Sequence, residues 1–134
     1  MRYYPVFLDI AGKPVVVIGG GEVAARKVGA LLDCSAGVTV VSPALHPDLR
    51  VLVDAGRVRH IQREYRPGDI KGQKLAIVGT DDRSANEAAA REARELGVWV
   101  NAVDDPPNCD FVMPGVVRRG DLVLAVSTSG RSPA

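Results

Sequence analysis

The feature that most limits how this chain can fold is a run of three glycines between an apolar segment and an amphipathic one. Pro14–Ile18 is apolar throughout and rich in β-branched residues, which is typical of a parallel strand buried on both faces. Gly19-Gly20-Gly21 interrupts it, and Glu22–Asp33 then places apolar residues at helical spacing. A strand, a glycine turn and a helix in direct succession predict the first part of a βαβ unit.

Strands and helices continue to alternate as far as about residue 101. Apolar runs predict further strands at 38–41, 58–61, 74–78 and 98–100, and helical spacing predicts helices over 45–55 and 83–96. Ser42 is a candidate cap for a helix that follows it, with Pro43 in the first turn, and Gly97 is the expected C-cap of the later helix. The alternation predicts right-handed βαβ units and a parallel sheet with helices on both faces.

The pattern changes after residue 103. The loop 103–110 is rich in turn residues and is expected to form the rim of a site. Phe111–Val117 and Leu122–Ser127 then flank a polar turn at 118–121, which predicts a β-hairpin. The sequence therefore predicts one Rossmann-like α/β domain over residues 1–134, with a mostly parallel sheet and a C-terminal hairpin segment.

The glycine run also fits the G-x-G-x-x-A form of the dinucleotide-binding fingerprint, with Gly19, Gly21 and Ala24 at its fixed positions. Gly19 allows the tight turn, Gly21 lets pyrophosphate approach the backbone because it has no Cβ, and Ala24 keeps the helix close to the sheet. Amides at the helix N-terminus would hold the phosphates. The predicted cofactor-binding turn comprises Gly19, Gly20, Gly21, Glu22 and Val23. A turn with a purely structural role is the alternative.

One expected feature of an NAD site is absent from the sequence. The second strand of such a fold usually ends in Asp or Glu, which binds the adenosine ribose hydroxyls. Here the strand ends in Val41-Ser42-Pro43, so that Ser42 or backbone groups would have to bind the ribose hydroxyls. No arginine stands there either, so a site for the 2′-phosphate of NADP is not indicated.

Composition excludes several other classes of function. The net charge is +1, which gives no global field to attract nucleic acid or an anionic membrane, and 4% aromatic residues are too few for a base-stacking platform. No apolar stretch approaches the roughly 20 residues of a membrane span, and the first residues lack the pattern of a signal peptide. The expectation is a cytoplasmic protein with no nucleic-acid or membrane partner.

The metal-binding and redox residue types are sparse. Cys34 is expected to be a small buried residue, whereas Cys109 lies in a polar turn, and two cysteines do not form a disulfide scaffold. His46 and His60 are expected at the surface, and neither has a partner at metal-ligand spacing. The sequence predicts no permanent metal site.

Seven motifs in order along the chain carry a family resemblance. They are PVFL (5–8), VVIGGGEVAARK (16–27), VTVVSP (38–43), GTDD (79–82) with Asn86, NAVDDP (101–106), CDFVMP (109–114) and STSGRSP (127–133). In these the chain resembles the N-terminal module of siroheme synthase and its stand-alone relatives, the precorrin-2 dehydrogenases. The resemblance covers nearly the whole chain.

The resemblance implies an activity and its partners. Such proteins oxidise precorrin-2, a reduced tetrapyrrole, to sirohydrochlorin with NAD, and some also insert Fe²⁺ to give siroheme, which would make iron a transient partner. Family members continue with a helical segment used in dimer formation, and the resemblance implies that this segment would lie beyond residue 134. Residues 103–134 are therefore expected on the substrate and dimer side, and the full-length protein is expected to be a homodimer.

The resemblance also assigns the catalytic and cofactor-binding residues. Asp104, the aspartate of the N-x-V-D motif, is the expected catalytic group, since a carboxylate can take the proton when NAD takes the hydride. A cap on the turn before the following prolines is its alternative role. Ser42, Pro43 and Ala44 would contact the adenosine end of the cofactor.

Two more candidates follow strand ends at the same edge of the sheet. Asn101 is assigned to substrate or cofactor binding, with a loop-shaping role as its alternative, and Thr80 to the cofactor. Asp82 is expected to cap the helix over 83–96 rather than to take part in catalysis.

The end of the chain resembles a substrate loop. The expected binding residues are Ser127, Thr128, Ser129 and Gly130, whose hydroxyls and amides would hold the carboxylates of precorrin-2. Arg118, Arg119 and Arg131 are further candidates for pairing with those carboxylates. For Arg118 and Arg119, a solvated hairpin turn is the favoured alternative.

A different class of function fits the glycine turn equally well. A non-catalytic domain that binds NAD or NADH and signals to a partner would carry the same fingerprint. Such a sensor has no need of Asp104 or of a carboxylate-binding loop, so these residues favour the dehydrogenase. The sequence does not separate dehydrogenation alone from dehydrogenation with iron insertion.

Overall fold

The structure is a computed structural model and describes residues 1–128. Its elements are β1 (Pro14–Ile18), α1 (Glu22–Asp33), β2 (Gly37–Val41), α2 (Pro47–Asp54), β3 (Arg59–Ile61), β4 (Leu75–Val78), α3 (Arg83–Leu96), β5 (Trp99–Ala102), a 3₁₀ turn (Pro106–Asn108), β6 (Gly115–Arg119) and β7 (Leu122–Val126). Five parallel strands form a sheet in the order β3-β2-β1-β4-β5, which is the order of a Rossmann-type half-fold. The predicted α/β fold is confirmed.

The strands bury alternate side chains on the two faces of the sheet. Val15 and Val17 of β1 pack with Val28 of α1 in one apolar cluster, which also includes Leu49 of α2. Val16 and Ile18 belong to a second cluster on the opposite face, formed with α3. Burial of one such side chain is worth about 1.5–3 kcal/mol. The continuously apolar strands that the sequence shows are therefore explained by helices on both faces.

The structure confirms the predicted capping residues of one helix and contradicts the predicted cap of another. Asp82 caps α3, because its carboxylate accepts the amide hydrogen of Ala85, and Gly97 ends that helix with φ +69°. The prediction that Ser42 caps the next helix is wrong. The helix α2 begins only at Pro47, and the ring of His46 caps it by accepting the amide hydrogen of Asp48.

The hairpin is shorter than predicted at its first strand. It begins at Gly115 rather than Phe111, because Pro114 has no amide hydrogen to donate to a ladder. Arg119 pairs with Leu122, so only Gly120 and Asp121 form the turn, and Gly120 has the positive φ of +55° that such a turn requires. Arg118 and Arg119 therefore lie in β6 and not in the turn.

The loop between β3 and β4 is fastened to α3 by the half-buried carboxylate of Glu92, and an ion pair within the loop braces it. Glu92 of α3 accepts hydrogen bonds from the Tyr65 hydroxyl at 2.9 Å and from the Gly68 amide. Arg63 makes a bidentate ion pair with Asp69, in which its two terminal nitrogens donate to the two carboxylate oxygens at 2.8 and 2.7 Å. That pairing is the main reason why the pKa of Asp69 lies below its ordinary value. Neither contact was visible in the sequence pattern.

The Arg63–Asp69 pair predicts a loss of stability in acid. Because folding lowers the pKa of Asp69, the ionised carboxylate stabilises the folded state at pH values above the pKa of the unfolded state, which is about 4. This stabilisation is lost as the pH falls through the lower pKa of the folded state. We expect the melting temperature of the wild type to fall more steeply below about pH 4 than that of Asp69→Asn. Asp54→Asn, at an exposed position, is the control and should melt like the wild type. Equal slopes for all three proteins would contradict the prediction.

Candidate functional site

Most of the predicted site residues meet at one edge of the sheet. The strands β2, β1, β4 and β5 are neighbours in that order. Ser42–Ala44 follow β2, Gly19–Val23 form the turn after β1 and the start of α1, and Thr80 follows β4. Asn101 lies near the end of β5, and Asp104 follows that strand. Ligands of open α/β sheets bind outside the carboxyl ends of the strands, where the strand order reverses. The reversal here lies between β1 and β4.

Two of the three glycines are required by contacts inside the protein. A Cβ on Gly19 would collide with the carbonyl oxygen of Gly79, and Gly19 also has φ +130°, which side chains rarely adopt. A Cβ on Gly20 would collide with the carbonyl oxygen of Ala44. The Gly20 carbonyl in turn accepts the amide hydrogen of His46 at 2.7 Å. The loops after β1, β2 and β4 therefore pack directly on one another.

Gly21 differs from both neighbours. A Cβ at Gly21 would meet nothing within 4 Å, and its backbone (φ −88°, ψ −165°) is open to any residue. No contact within the described chain requires glycine there, so the open space in front of it fits the approach of a phosphate. Gly21 is the N-cap of α1, yet no side chain caps this helix, whereas His46 and Asp82 cap α2 and α3. The first amides of α1 are thus left for an anion.

Ser42 is turned away from the predicted adenosine site. It is 3% exposed, and its hydroxyl donates to the Ala44 carbonyl at 2.8 Å. The His60 ring lies 2.9 Å from the Ser42 carbonyl oxygen, so His60 is half-buried and supports this loop rather than standing at the surface as predicted. Pro43 and Ala44 are exposed at the loop's tip. Contact with a ribose would therefore come from the loop backbone or from these two residues.

Thr80 is held by a side chain of α3. Its hydroxyl lies 2.7 Å from Asn86 Oδ1 and accepts the Asp82 amide hydrogen, while its own amide also donates to Asn86 Oδ1 at 3.0 Å. The Asn86 amide returns a bond to the Thr80 carbonyl. The Thr80 side chain therefore stabilises the loop after β4, and its contact with a cofactor remains a prediction.

Asn101 and Asp104 stand at the end of β5 in different environments. Asn101 is 8% exposed, and its amide donates to the Phe111 carbonyl at 2.9 Å, so it ties the end of β5 to the chain before the hairpin. Asp104 is exposed and has φ +57°, a left-handed conformation that few residues other than Gly, Asn and Asp adopt. A backbone of this kind is often found at functional sites.

Two clefts meet at Asp104. The first, of about 390 Å³, lies between the N-terminal segment and the loop after β5, and the second, of about 410 Å³, lies between α1 and the hairpin. Four residues line both clefts: Lys27, Val103, Asp104 and Met113. Asp104 is therefore exposed where the two clefts meet, so a group bound in either cleft could come within reach of it for proton transfer.

Some residues of these clefts were not among the predicted site residues. Arg2 and Tyr3 line the first cleft, and no sequence signal marked them. Lys27 could have been recognised from the sequence, because it is the polar exception in the apolar stripe of α1. Cys109 also lines the first cleft, where burial raises the pKa of its thiol and the thiol donates to the Ala102 carbonyl at 3.1 Å. It is therefore a protonated, structural cysteine.

The predicted substrate loop is only partly within the described chain. Ser127 and Thr128 are exposed just after β7, whereas Ser129, Gly130 and Arg131 lie outside the described residues. Arg118 extends toward the C-terminal end of α1, with its guanidinium 3.7 Å from Cys34 Sγ. That end of α1 is opposite to the glycine turn.

No helix among residues 1–128 has the length and apolar character to cross a bilayer. The same residues hold no group of three or more His, Cys, Asp or Glu side chains that could bind a metal ion.

A parallel sheet of this order, with a glycine turn that opens onto an uncapped helix, defines a dinucleotide-binding domain. Residues 6–115 match a family model described as "Putative NAD(P)-binding", and the chain belongs to that family. The chain is also 43% identical over 133 residues to siroheme synthase of Methylobacillus flagellatus and 41% identical to siroheme synthase 1 of Aeromonas salmonicida. Both alignments cover 99% of this chain.

A solved structure agrees with the sequence relatives. The chain superposes on SirC, precorrin-2 dehydrogenase, with a TM-score of 0.82 and 28% identity over 98% of this chain and 64% of that one. The resemblance inferred from the motifs is thereby confirmed. The chain spans 28% of the length of the two siroheme synthases.

Proposed function

We propose that this chain is a dehydrogenase domain that oxidises precorrin-2 to sirohydrochlorin with NAD. The observation that carries the proposal is the position of Asp104, exposed between two clefts at the edge of the sheet that also bears the glycine turn. A domain that only senses NAD needs the turn but not a carboxylate placed in this way. The similarity to siroheme synthases and to a precorrin-2 dehydrogenase supports the same conclusion.

The residues around the glycine turn fit a dinucleotide. Gly21 faces open space, and the amides of the first turn of α1 have no side-chain cap, so they would hold the pyrophosphate. Pro43 and Ala44 would lie at the adenosine end. No acidic residue ends β2, so the ribose would be bound less specifically than in most NAD sites.

Oxidation of the substrate removes one hydride and one proton. When bound, NAD supplies the hydride acceptor. The carboxylate of Asp104 accepts the proton, and solvent can then take it away because the side chain is exposed. No described residue holds the carboxylate in an ion pair, so the group is free to act as the base. Iron insertion is a second activity that the same carboxylate would serve, by accepting pyrrole protons, with Fe²⁺ as a transient substrate.

The hairpin supports a homodimer in the full-length protein. Val117, Leu124 and Val126 are 54%, 53% and 65% exposed, although all lie in regular strands. An isolated two-stranded hairpin is marginally stable in water, so these apolar side chains need a covering surface. We assign that surface to a second copy of the chain. We also place the protein in the cytoplasm, since its two cysteines are free thiols.

One anaerobic assay tests the proposal. Precorrin-2 and NAD are mixed with the protein, and sirohydrochlorin and NADH are followed by absorbance before Fe²⁺ is added. We expect sirohydrochlorin and NADH to appear in equal amounts, and siroheme above the non-enzymatic rate would add iron insertion. Bound NAD without turnover, both in this chain and in a chain extended past Ala134, would reject the dehydrogenase and support the sensor.

A further inference from the structure

Lys27 occupies an unusual position on α1. The residues of the same stripe, Ala24, Val28 and Leu31, are buried against the sheet. Lys27 is half-buried in that stripe, and its side chain lines both clefts together with Asp104. A lysine at the margin of an apolar face packs its stem against that face and extends its ammonium outward, here toward the clefts.

The clefts present an electrostatic difficulty for an anionic substrate. Asp104 and Asp105 both line the first cleft, so a substrate that carries carboxylates is repelled from the group that must act on it. Arg2 lines the first cleft only and Arg26 the second only. Lys27 is the cation common to both, and it makes no ion pair within 4 Å among residues 1–128. Its ammonium is therefore available to a ligand.

We propose that Lys27 binds a carboxylate of the substrate and thereby holds the ring system against Asp104. The inference rests on the proposed function and adds a binding residue to it. It also replaces Arg118 in that role, because the Arg118 guanidinium lies at the far end of α1, beside Cys34. The chemical class that Lys27 recognises is a large, planar, polycarboxylated ring.

The test compares Lys27→Met with Lys13→Met, which removes the same charge from an exposed position at the opposite edge of the sheet. Methionine keeps the length and helix propensity of lysine, so the domain should fold. Sirohydrochlorin, followed by its own fluorescence, is the binding probe. We expect Lys27→Met to bind it about tenfold or more weakly, since a hydrogen bond to a charged group is stronger than one between neutral groups.

Four further readouts separate this role from a structural one. We expect NAD affinity to be unchanged, KM for precorrin-2 to rise more than kcat falls, and Lys27→Arg to recover most of the binding. The wild-type affinity should also weaken with salt more steeply than that of Lys27→Met.

Each contrary result has a distinct meaning. Equal sirohydrochlorin affinities for Lys27→Met and Lys13→Met would overturn the role of Lys27 alone. A loss of NAD binding in Lys27→Met would place the residue at the cofactor and overturn it as well. A wild-type protein that neither binds sirohydrochlorin nor oxidises precorrin-2 would reject the proposed function itself.

Discussion

Gly21→Asp is expected to abolish NAD binding without unfolding the domain. The new side chain would enter the open space in front of α1, where the pyrophosphate would lie. Two like charges about 4 Å apart repel by about 4 kcal/mol at an effective dielectric constant of about 20, which is a loss of roughly a thousandfold in affinity. The fold should not suffer, because aspartate is a better N-cap than glycine by a few tenths of a kcal/mol. The expected pattern is an unchanged or slightly higher melting temperature with no measurable NAD binding by calorimetry.

Gly29→Asp is the matched control. Gly29 lies two turns further along α1, and a Cβ there meets nothing within 4 Å. The same substitution adds the same charge to the same helix, away from the glycine turn. Binding that is retained in Gly29→Asp and lost in Gly21→Asp would locate the cofactor at the turn. If Gly21→Asp binds NAD as tightly as the wild type, the glycine-turn argument fails.

Asp104→Asn is expected to stop turnover and spare NAD binding. Asparagine tolerates the left-handed backbone of position 104 as well as aspartate does, whereas alanine does not, so the variant isolates the loss of the carboxylate. General base catalysis contributes about a hundredfold to ten-thousandfold to a rate, and kcat for precorrin-2 oxidation should fall by that factor. The measurement is the anaerobic assay at saturating NAD, together with the dissociation constant of NAD.

Asp33→Asn provides the comparison for this experiment. It makes the same isosteric change at an exposed residue at the other end of α1. Activity that survives in Asp104→Asn as it does in Asp33→Asn would show that Asp104 only shapes its turn. A parallel loss of NAD binding would instead indicate that the loop after β5 supports the cofactor.

The sequence predicted the fold in most of its detail because the strong signals are local. A β-branched run identifies a buried strand, and three glycines between strand and helix identify the turn, so β1 and α1 were placed without error. The prediction that Ser42 caps a helix was wrong because it considered only neighbouring residues, among which a serine followed by a proline favours the start of a helix. The Ser42 hydroxyl instead binds the Ala44 carbonyl beneath Gly20, a contact set by tertiary packing.

The site was predicted less completely for the same reason. Asp104 and the glycine turn follow strand ends and Asn101 lies near the end of β5, so the topology alone brings them to one edge. Which side chains face the clefts depends on how the N-terminal segment and the hairpin lie against α1, and no local pattern encodes that. Arg118 and Lys27 illustrate the difference, since both are cations near apolar segments and only Lys27 lines the clefts.

The three glycines of the turn also bear on how inherited variants of this gene would behave. An allele that changes Gly19 or Gly20 introduces a collision inside the molecule, so it should lower the amount of protein in the cell through degradation of the unfolded chain. An allele that places an acidic side chain at position 21 should leave abundance normal and remove only the bound nucleotide. Position 21 is thus where a geneticist can obtain an inactive subunit at normal abundance. If the chain forms the homodimer that we propose, such a subunit would pair with wild-type copies and reveal whether the two sites depend on each other.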